Sequence, residues 1–239
     1  MRPQLTPFDG ALLVDKPTGL TSHDVVDRIR RHFGFKKVGH CGTLDPAATG
    51  LLVIVLERAT KLQANLMSDD KTYEGTMRLG IATDSQDSDG EVIAERPVPS
   101  LTEGDVEQVF ARFRGDIQQV PPMISALKHQ GTPLYKLARK GKTVEREPRL
   151  VHIYDLRLVK LHMPHVDFHV MCTKGTYVRT LCHDIGEALG CGAHLAALRR
   201  ARSGGFDVKN AHTLDELFRL KRDQLQPLII PILKLAKPS

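Results

Sequence analysis

Tryptophan is absent from this sequence, aromatic residues make up only 5% of it, and no long apolar run interrupts it. The longest such run, "GLLVIVL" at 50–56, falls far short of the roughly 18 residues a spanning helix needs, which excludes a helical membrane bundle. "MRPQLTPFDG" lacks the apolar stretch of a secretory signal, so a cytoplasmic protein is expected. Cysteine is sparse as well. Cys41, Cys172, Cys182 and Cys191 show no framework spacing and read as reduced thiols. In "CHDIGEALGCGAH" the residues Cys182, His183, Cys191 and His194 include no CxxC or HxxxH pair, so no metal site is expected. No repeat period, coiled coil or low-complexity linker divides the chain.

What is present is ordinary for a soluble globular protein: 239 residues, 41% hydrophobic and 26% charged. That length suits one catalytic-sized domain, here 1–220, followed by a short extension at 221–239. Lys and Arg outnumber Asp and Glu by 34 to 28, a formal charge of +6. The excess is concentrated in Lys128, Lys136, Arg139, Lys140, Lys142, Arg146 and Arg149, and again in Arg199, Arg200 and Arg202. Two such stripes can track a phosphate backbone, or they can be solvated faces; charge alone leaves both open.

Periodicity gives the elements. "GALLVDKPTGLTSHDVVDRIRRHFG" reads as strand, turn and helix, with Thr21 or Ser22 as cap and Val25, Val26 and Ile29 on one face. "LLVIVL" is short enough for a buried strand, "KTYEGTMRLG" alternates as another, and "TDSQDSDGEV" is an acidic turn leading back into a strand. Read as a calcium loop, that turn would put Ser85 first and Arg96 last, where carboxylates are required, so a hairpin loop is expected. A helix capped by Thr102 is expected to stop at Gly115. Two strands flank Met163-Pro164, a helix follows in "TYVRTLCHDIGEALG", and "HTLDELFRL" carries a capping box from Thr213 to Glu216. Hairpins mixed with helices predict an α+β fold with a mixed, largely antiparallel sheet and flanking helices.

The segment "GHCGTLDPAATG" at 39–50 places Asp45 on a loop just before a buried strand. Pro46 biases Asp45 toward an extended conformation, and the glycines at 39, 42 and 50 allow close backbone approach. No GK[ST] follows, so this is no phosphate loop. Alone, it is equally a turn whose aspartate caps a local helix.

The motifs "DKPTGLTSHDVV", "GHCGTLDPAATGLL", "KTYEGTMRLG", "TDSQDSDG", "PPMISALKHQGTPLYKLARKG" and "CTKGTYVRTLCHDIGEALGCGAHLAALRR" occur in this order. From about Asp9 to Leu214 the chain resembles the TruB-type tRNA pseudouridine synthases, which isomerise the T-loop uridine at tRNA position 55. The resemblance implies that Asp45 is the nucleophile, attacking either the uracil ring or the ribose anomeric carbon. It implies that Tyr73 stacks on the target base and helps remove the C5 proton, and that Arg179 pairs with the aspartate and keeps it ionised. His40 matches a histidine supporting the RNA loop, Leu198 a leucine lining the uracil pocket, and Lys16 the lysine of the "DKP" element. A core leucine on a helix and a surface lysine are the plain alternatives for the last two. Tyr177 and Lys128, in "GTYVRT" and "SALKHQ", are grouped with the substrate-binding residues.

The resemblance implies no metal and no organic cofactor, a tRNA T-arm stem-loop as partner, no membrane, and a monomer without an obligatory protein partner. The chain departs from many members in one respect: "LKRDQLQPLIIPILKLAKPS" is too short for the small PUA-type RNA-binding domain that often follows, and "LIIPILKL" reads as one strand or a packed extension. Two other functions remain open here, a component of a guide-RNA-dependent pseudouridine synthase and a protein that binds or folds RNA without chemistry.

Overall fold

A computed structural model describes residues 4–125, 127–138, 141–142 and 144–235. The chain is α+β, with a large mixed sheet and flanking helices. In chain order the strands are β1 (Gly10–Lys16), β2 (Val38–His40), β3 (Thr49–Leu56), β4 (Lys71–Leu79), β5 (Ile81–Thr83), β6 (Val92–Glu95), β7 (Gly115–Gln119), β8 (Lys128–His129), β9 (Thr132–Pro133), β10 (Arg149–His162), β11 (His165–Cys172), β12 (Ala193–Ser203), β13 (Phe206–Asp207), β14 (His212–Thr213) and β15 (Ile230–Pro231). The helices are α1 (Ser22–Phe33), α2 (Gln63–Met67), α3 (Glu103–Ala111), α4 (Leu134–Ala138), α5 (Val178–Ala188), α6 (Leu214–Phe218) and α7 (Ile232–Leu235). Two compact units result, one of Met1–Tyr73 with Arg199–Ser239, the other of Glu74–Leu198. No helix among the described residues is long and apolar enough to cross a membrane.

The first unit is built on β1 and β3, antiparallel from Gly10↔Leu56 to Lys16↔Gly50. β3 reads as a continuous apolar run because both of its faces are covered. Leu52, Ile54 and Leu56, with Leu12 and Val14 of β1, pack under Val25, Ile29 and Phe33 of α1 and under Leu214 and Leu217 of α6. Leu51, Val53 and Val55, with Ala11 and Leu13, face Cys41, Ala59, Leu66 and Leu235. Each Val, Leu, Ile or Phe among them contributes about 1.5–3 kcal/mol by leaving water. Thr21, not Ser22, caps α1, through a capping box with Asp24, and Gly34 (φ 64°) closes the helix.

Residues after α6 belong to the same unit. Arg222 donates from Nη1 to Gly34 O at 3.0 Å, and its guanidinium lies 4.9 Å from the Phe8 ring centre and 4.8 Å from that of Phe35. "LIIPILKL" supplies both a strand and a packed turn: β15 pairs with Gly10 and Ala11 of β1, and α7 buries Leu235.

In the second unit β11 and β7 flank β10 in antiparallel register. Val166, Phe168, Val170 and Cys172 are buried on alternate positions of β11, and Gly75 of β4 leaves room for Phe168, whose Cζ would lie 2.4 Å from a Cβ there. α3 starts at its Thr102–Asp105 capping box and buries Val106 and Phe110, but it ends at Ala111 rather than at Gly115. Phe113 N–H turns back to Phe110 O (3.0 Å), tightening the last turn, and Gly115, at φ 88°, opens β7 instead. The acidic turn is a hairpin loop between β5 and β6, closed by Glu91 N–H donating to Asp84 Oδ1 at 2.9 Å.

Candidate active site

Asp45 is half buried on the loop between β2 and β3, and the residues on either side of it are held by their backbones. Leu44 N–H donates to Ser22 Oγ at 2.8 Å, and that hydroxyl donates back to Leu44 O at 3.1 Å. Pro46 O accepts from Gly19 N–H at 2.8 Å and from Lys16 Nζ at 3.2 Å. Ala47 O accepts from Thr18 Oγ1 at 3.3 Å, and Ala48 N–H donates to the carbonyl of Asp45 itself at 3.1 Å. The carboxylate therefore projects from a backbone fixed one residue before it and one after it.

Lys16 is no surface lysine. It is 0% exposed, and its ammonium also donates to Pro17 O (2.9 Å) and Leu20 O (2.7 Å). Burial pulls its pKa down to about 8, while the nearby Asp45 carboxylate pushes it back up. His40 ends β2, opposite Ile54, and its carbonyl accepts from Gln63 Nε2 at 2.9 Å. Burial first, and the Arg200 cation second, hold the His40 ring below the usual imidazole range, with the Gly42 backbone pulling weakly the other way. Tyr73 is half buried on β4.

Arg200 lies at the base of this loop. It is 1% exposed and donates from Nε to Leu51 O (2.7 Å) and from Nη2 to Gly42 O (3.0 Å). Beside it Arg199 forks onto Asp15 at 3.0 and 2.7 Å. The expected second basic stripe is thus corrected: parallel pairing of Arg199 and Arg200 with Thr49 and Gly50 turns one inward and ties up the other, leaving Arg202 as its exposed member. Gly50 is required here, because at φ 98° a Cβ would stand 2.4 Å from Arg200 O.

In the second unit, α5 carries Arg179, which is 5% exposed. Its guanidinium donates from Nη1 to Ser85 O (3.0 Å) and from Nη2 to Ile124 O (2.8 Å), and Nη1 stands 3.4 Å from Asp87 Oδ2. Tyr177, the residue before α5, is bracketed by the Gln119 amide: Tyr177 N–H donates to Oε1 at 3.0 Å and Gln119 Nε2 donates to Tyr177 O at 3.3 Å. Leu198 is half buried on β12, a strand where a helix was the plain expectation. Lys128 belongs to β8, with its side chain outside the description. Arg139 and Lys140 lie outside the described residues, whereas Lys136 and Lys142 are exposed. No three His, Cys, Asp or Glu side chains come together as a metal site among the described residues.

The first unit thus gathers Asp45, Lys16 and His40 around one loop, and the second holds Arg179 and Tyr177 around the start of α5. Residues 30–178 match the TruB family pseudouridylate synthase (N terminal domain), and residues 179–235 match the tRNA pseudouridylate synthase B C-terminal domain. The chain belongs to the TruB family. It is therefore an enzyme, a pseudouridine synthase. The tRNA pseudouridine synthase B of Opitutus terrae is 52% identical over 232 residues, covering 97% of this chain and 96% of that one. That of Syntrophotalea carbinolica is 51% identical over 225 residues, or 94% and 74% of the two chains. Among solved structures, a chain of a Cbf5-Nop10-Gar1 complex is similar at a TM-score of 0.76 and 32% identity, over 95% of this chain and 61% of that one. A chain of an H/ACA RNP bound to a substrate RNA containing 2'-deoxyuridine gives 0.72 and 29%, over 95% and 60%.

Four residues that hold the candidate side chains or their backbones within the two units escaped the sequence reading. Ser22 was weighed only as a cap, Arg200 only as surface charge, Asp87 only as a turn acid, and Gln119 not at all. Three of them stand in the ordered motifs, Ser22 in "DKPTGLTSHDVV", Asp87 in "TDSQDSDG" and Arg200 at the end of "AHLAALRR", whereas Gln119 stands in none.

Proposed function

We propose that this enzyme converts the T-loop uridine at tRNA position 55 to pseudouridine, in the cytoplasm, as a monomer that needs no partner protein and no cofactor. The observation that carries the reading is the Asp45 carboxylate, half buried and projecting from a loop whose neighbouring residues are fixed by Ser22 and Lys16. Asp45 attacks either the uracil ring or the ribose anomeric carbon, and the covalent stage divides one difficult rearrangement into easier steps. The N1–C1′ bond breaks, the base rotates, C5 bonds to C1′, and the C5 proton leaves while N1 regains one. No electrons are gained or lost overall.

Tyr73 stacks on the base and relays the C5 proton through its phenol oxygen. Arg179 serves as the cationic partner that keeps the nucleophile ionised. His40 supports the RNA loop after the base has left it, and Leu198, Tyr177 and Lys128 contribute to substrate binding. Extruding the uridine costs a few kcal/mol, on the order of what base-flipping enzymes meet, and phosphate contacts offset it. Lys136 and Lys142, exposed on the segment before β10, suit that task.

A guide-dependent role is the second reading, favoured by the likeness to chains of a Cbf5-Nop10-Gar1 complex and of an H/ACA RNP. Against it, identity is 52% to the tRNA pseudouridine synthase B of Opitutus terrae and 32% to the chain of the Cbf5-Nop10-Gar1 complex. The deciding experiment is tritium release from C5-labelled uridine in an unmodified T-loop transcript, with purified protein alone. Release that drops on the order of 10⁴-fold or more in Asp45→Asn, with transcript binding kept, supports the reading. Wild-type release retained in Asp45→Asn sinks the nucleophile assignment. No release from wild type despite tight binding moves the function to guided modification or to RNA binding alone.

A further inference from the structure

Asp45 has a short side chain on a loop, so its aim is set by the backbone that carries it. Beside Lys16 and Thr18, two further side chains from outside the loop hold that backbone, and neither is explained by the helix or strand in which it stands. Ser22 begins α1, yet capping is done by Thr21. The Ser22 hydroxyl, 1% exposed, instead spends its single proton and a lone pair on the same residue, Leu44, immediately before Asp45. Arg200 bridges the two ends of the loop, Gly42 on one side and Leu51 on the other. Among the described residues no carboxylate lies within ion-pairing distance of it, so a buried cation is held by carbonyls, an arrangement that packing alone does not favour.

We propose that Ser22 and Arg200 are positioning residues for Asp45: they hold the carboxylate at its point of attack without touching the substrate. This rests on Asp45 being the nucleophile. Misplacing a reacting group by about 1 Å costs about 100-fold in rate, whereas ground-state RNA binding, spread over many contacts, is little affected.

The test compares Ser22→Ala and Arg200→Lys with Thr21→Ala, which weakens the same helix at its cap but leaves Leu44 held. Single-turnover tritium release, transcript Kd and Tm are measured for each. The first two variants are expected to lose about 10- to 100-fold in rate with Kd within about twofold, while Thr21→Ala loses Tm and keeps its rate. Wild-type rates in Ser22→Ala and Arg200→Lys overturn the proposal, as does a loss of rate in Thr21→Ala that scales with Tm as theirs does. If Ser22→Ala does not fold, Ser22→Cys, nearly the same in volume and a poor hydrogen bonder, is read by the same criteria. Asp45→Asn runs alongside: activity retained there removes the nucleophile itself, a failure distinct from that of its supports.

Discussion

Asp45 and Arg179 are held in opposite ways. At Asp45 the side chain is short and what is fixed is backbone, by Ser22 on Leu44, Lys16 on Pro46 and Arg200 on Gly42 and Leu51. At Arg179 the backbone already sits in a helix, and what is fixed is the far end of a long side chain, by Ser85 O, Ile124 O and Asp87. Rotamer entropy accounts for the contrast. An arginine has about 2 kcal/mol of side-chain freedom to lose, a carboxylate on one methylene much less, so a loop aspartate is aimed through its main chain and a helical arginine through its tip.

The contrast is broken most severely at the tip. Arg179→Lys keeps the charge but loses the planar fork that reaches two carbonyls, and single-turnover release is expected to fall by about 100-fold or more, with transcript affinity nearly unchanged. Gly50→Ala attacks the loop from below. The forced φ and the clash with Arg200 O predict a loss of roughly 2–3 kcal/mol, read as a lower midpoint in urea. Lys16→Met leaves the Pro17 and Leu20 carbonyls without the Lys16 donor, and Pro46 O with Gly19 N–H alone, and should cost about 1–3 kcal/mol at neutral pH.

That last variant sharpens with pH. The Lys16 pKa is about 8 in the folded protein against an ordinary 10.5, so between these values the unfolded chain binds more protons than the folded one. Stability must then rise with pH across that window, and below it the full penalty of burying the charge applies. Wild type measured against Lys16→Met should gain stability from pH 8 to 10.5; a flat difference would show that burial does not depress this lysine. The smallest effect lies on the surface, where Lys136→Ala and Lys142→Ala are each expected to weaken transcript binding slightly and to reduce the log-log salt slope by about 0.7.

Much of this was legible in the sequence because local chemistry dictates it. The Thr102 cap, the Thr213 capping box, the apolar β3 run and the β10–β11 hairpin each follow from residues only a few positions apart. What stayed hidden depends on partners distant in sequence. Nothing within "ALRRARSGG" separates Arg200 from Arg202; only parallel pairing with β3, some 150 residues earlier, turns the one inward. The same pairing made a strand of a segment that also reads as helical. Ser22 is likewise ambiguous until Leu44 arrives beside it, since a serine at the start of a helix is a good cap by any local criterion. Site residues were named through the resemblance, whereas the groups that hold them became visible only in the fold.

The pairing of β1 also bears on the order in which this protein can be made. One neighbour of that strand, β3, follows it within the first quarter of the chain, but the opposite side is completed by β14 and β15, near the end. The unit containing Asp45 is discontinuous in sequence, and the unit containing Arg179 is one uninterrupted stretch within it. During synthesis from the N-terminus, the second unit has all of its residues before the first has its last strand. A nascent chain stalled near Arg199 would therefore hold every residue of the Arg179 unit, while β1 still lacked everything that seals its outer edge.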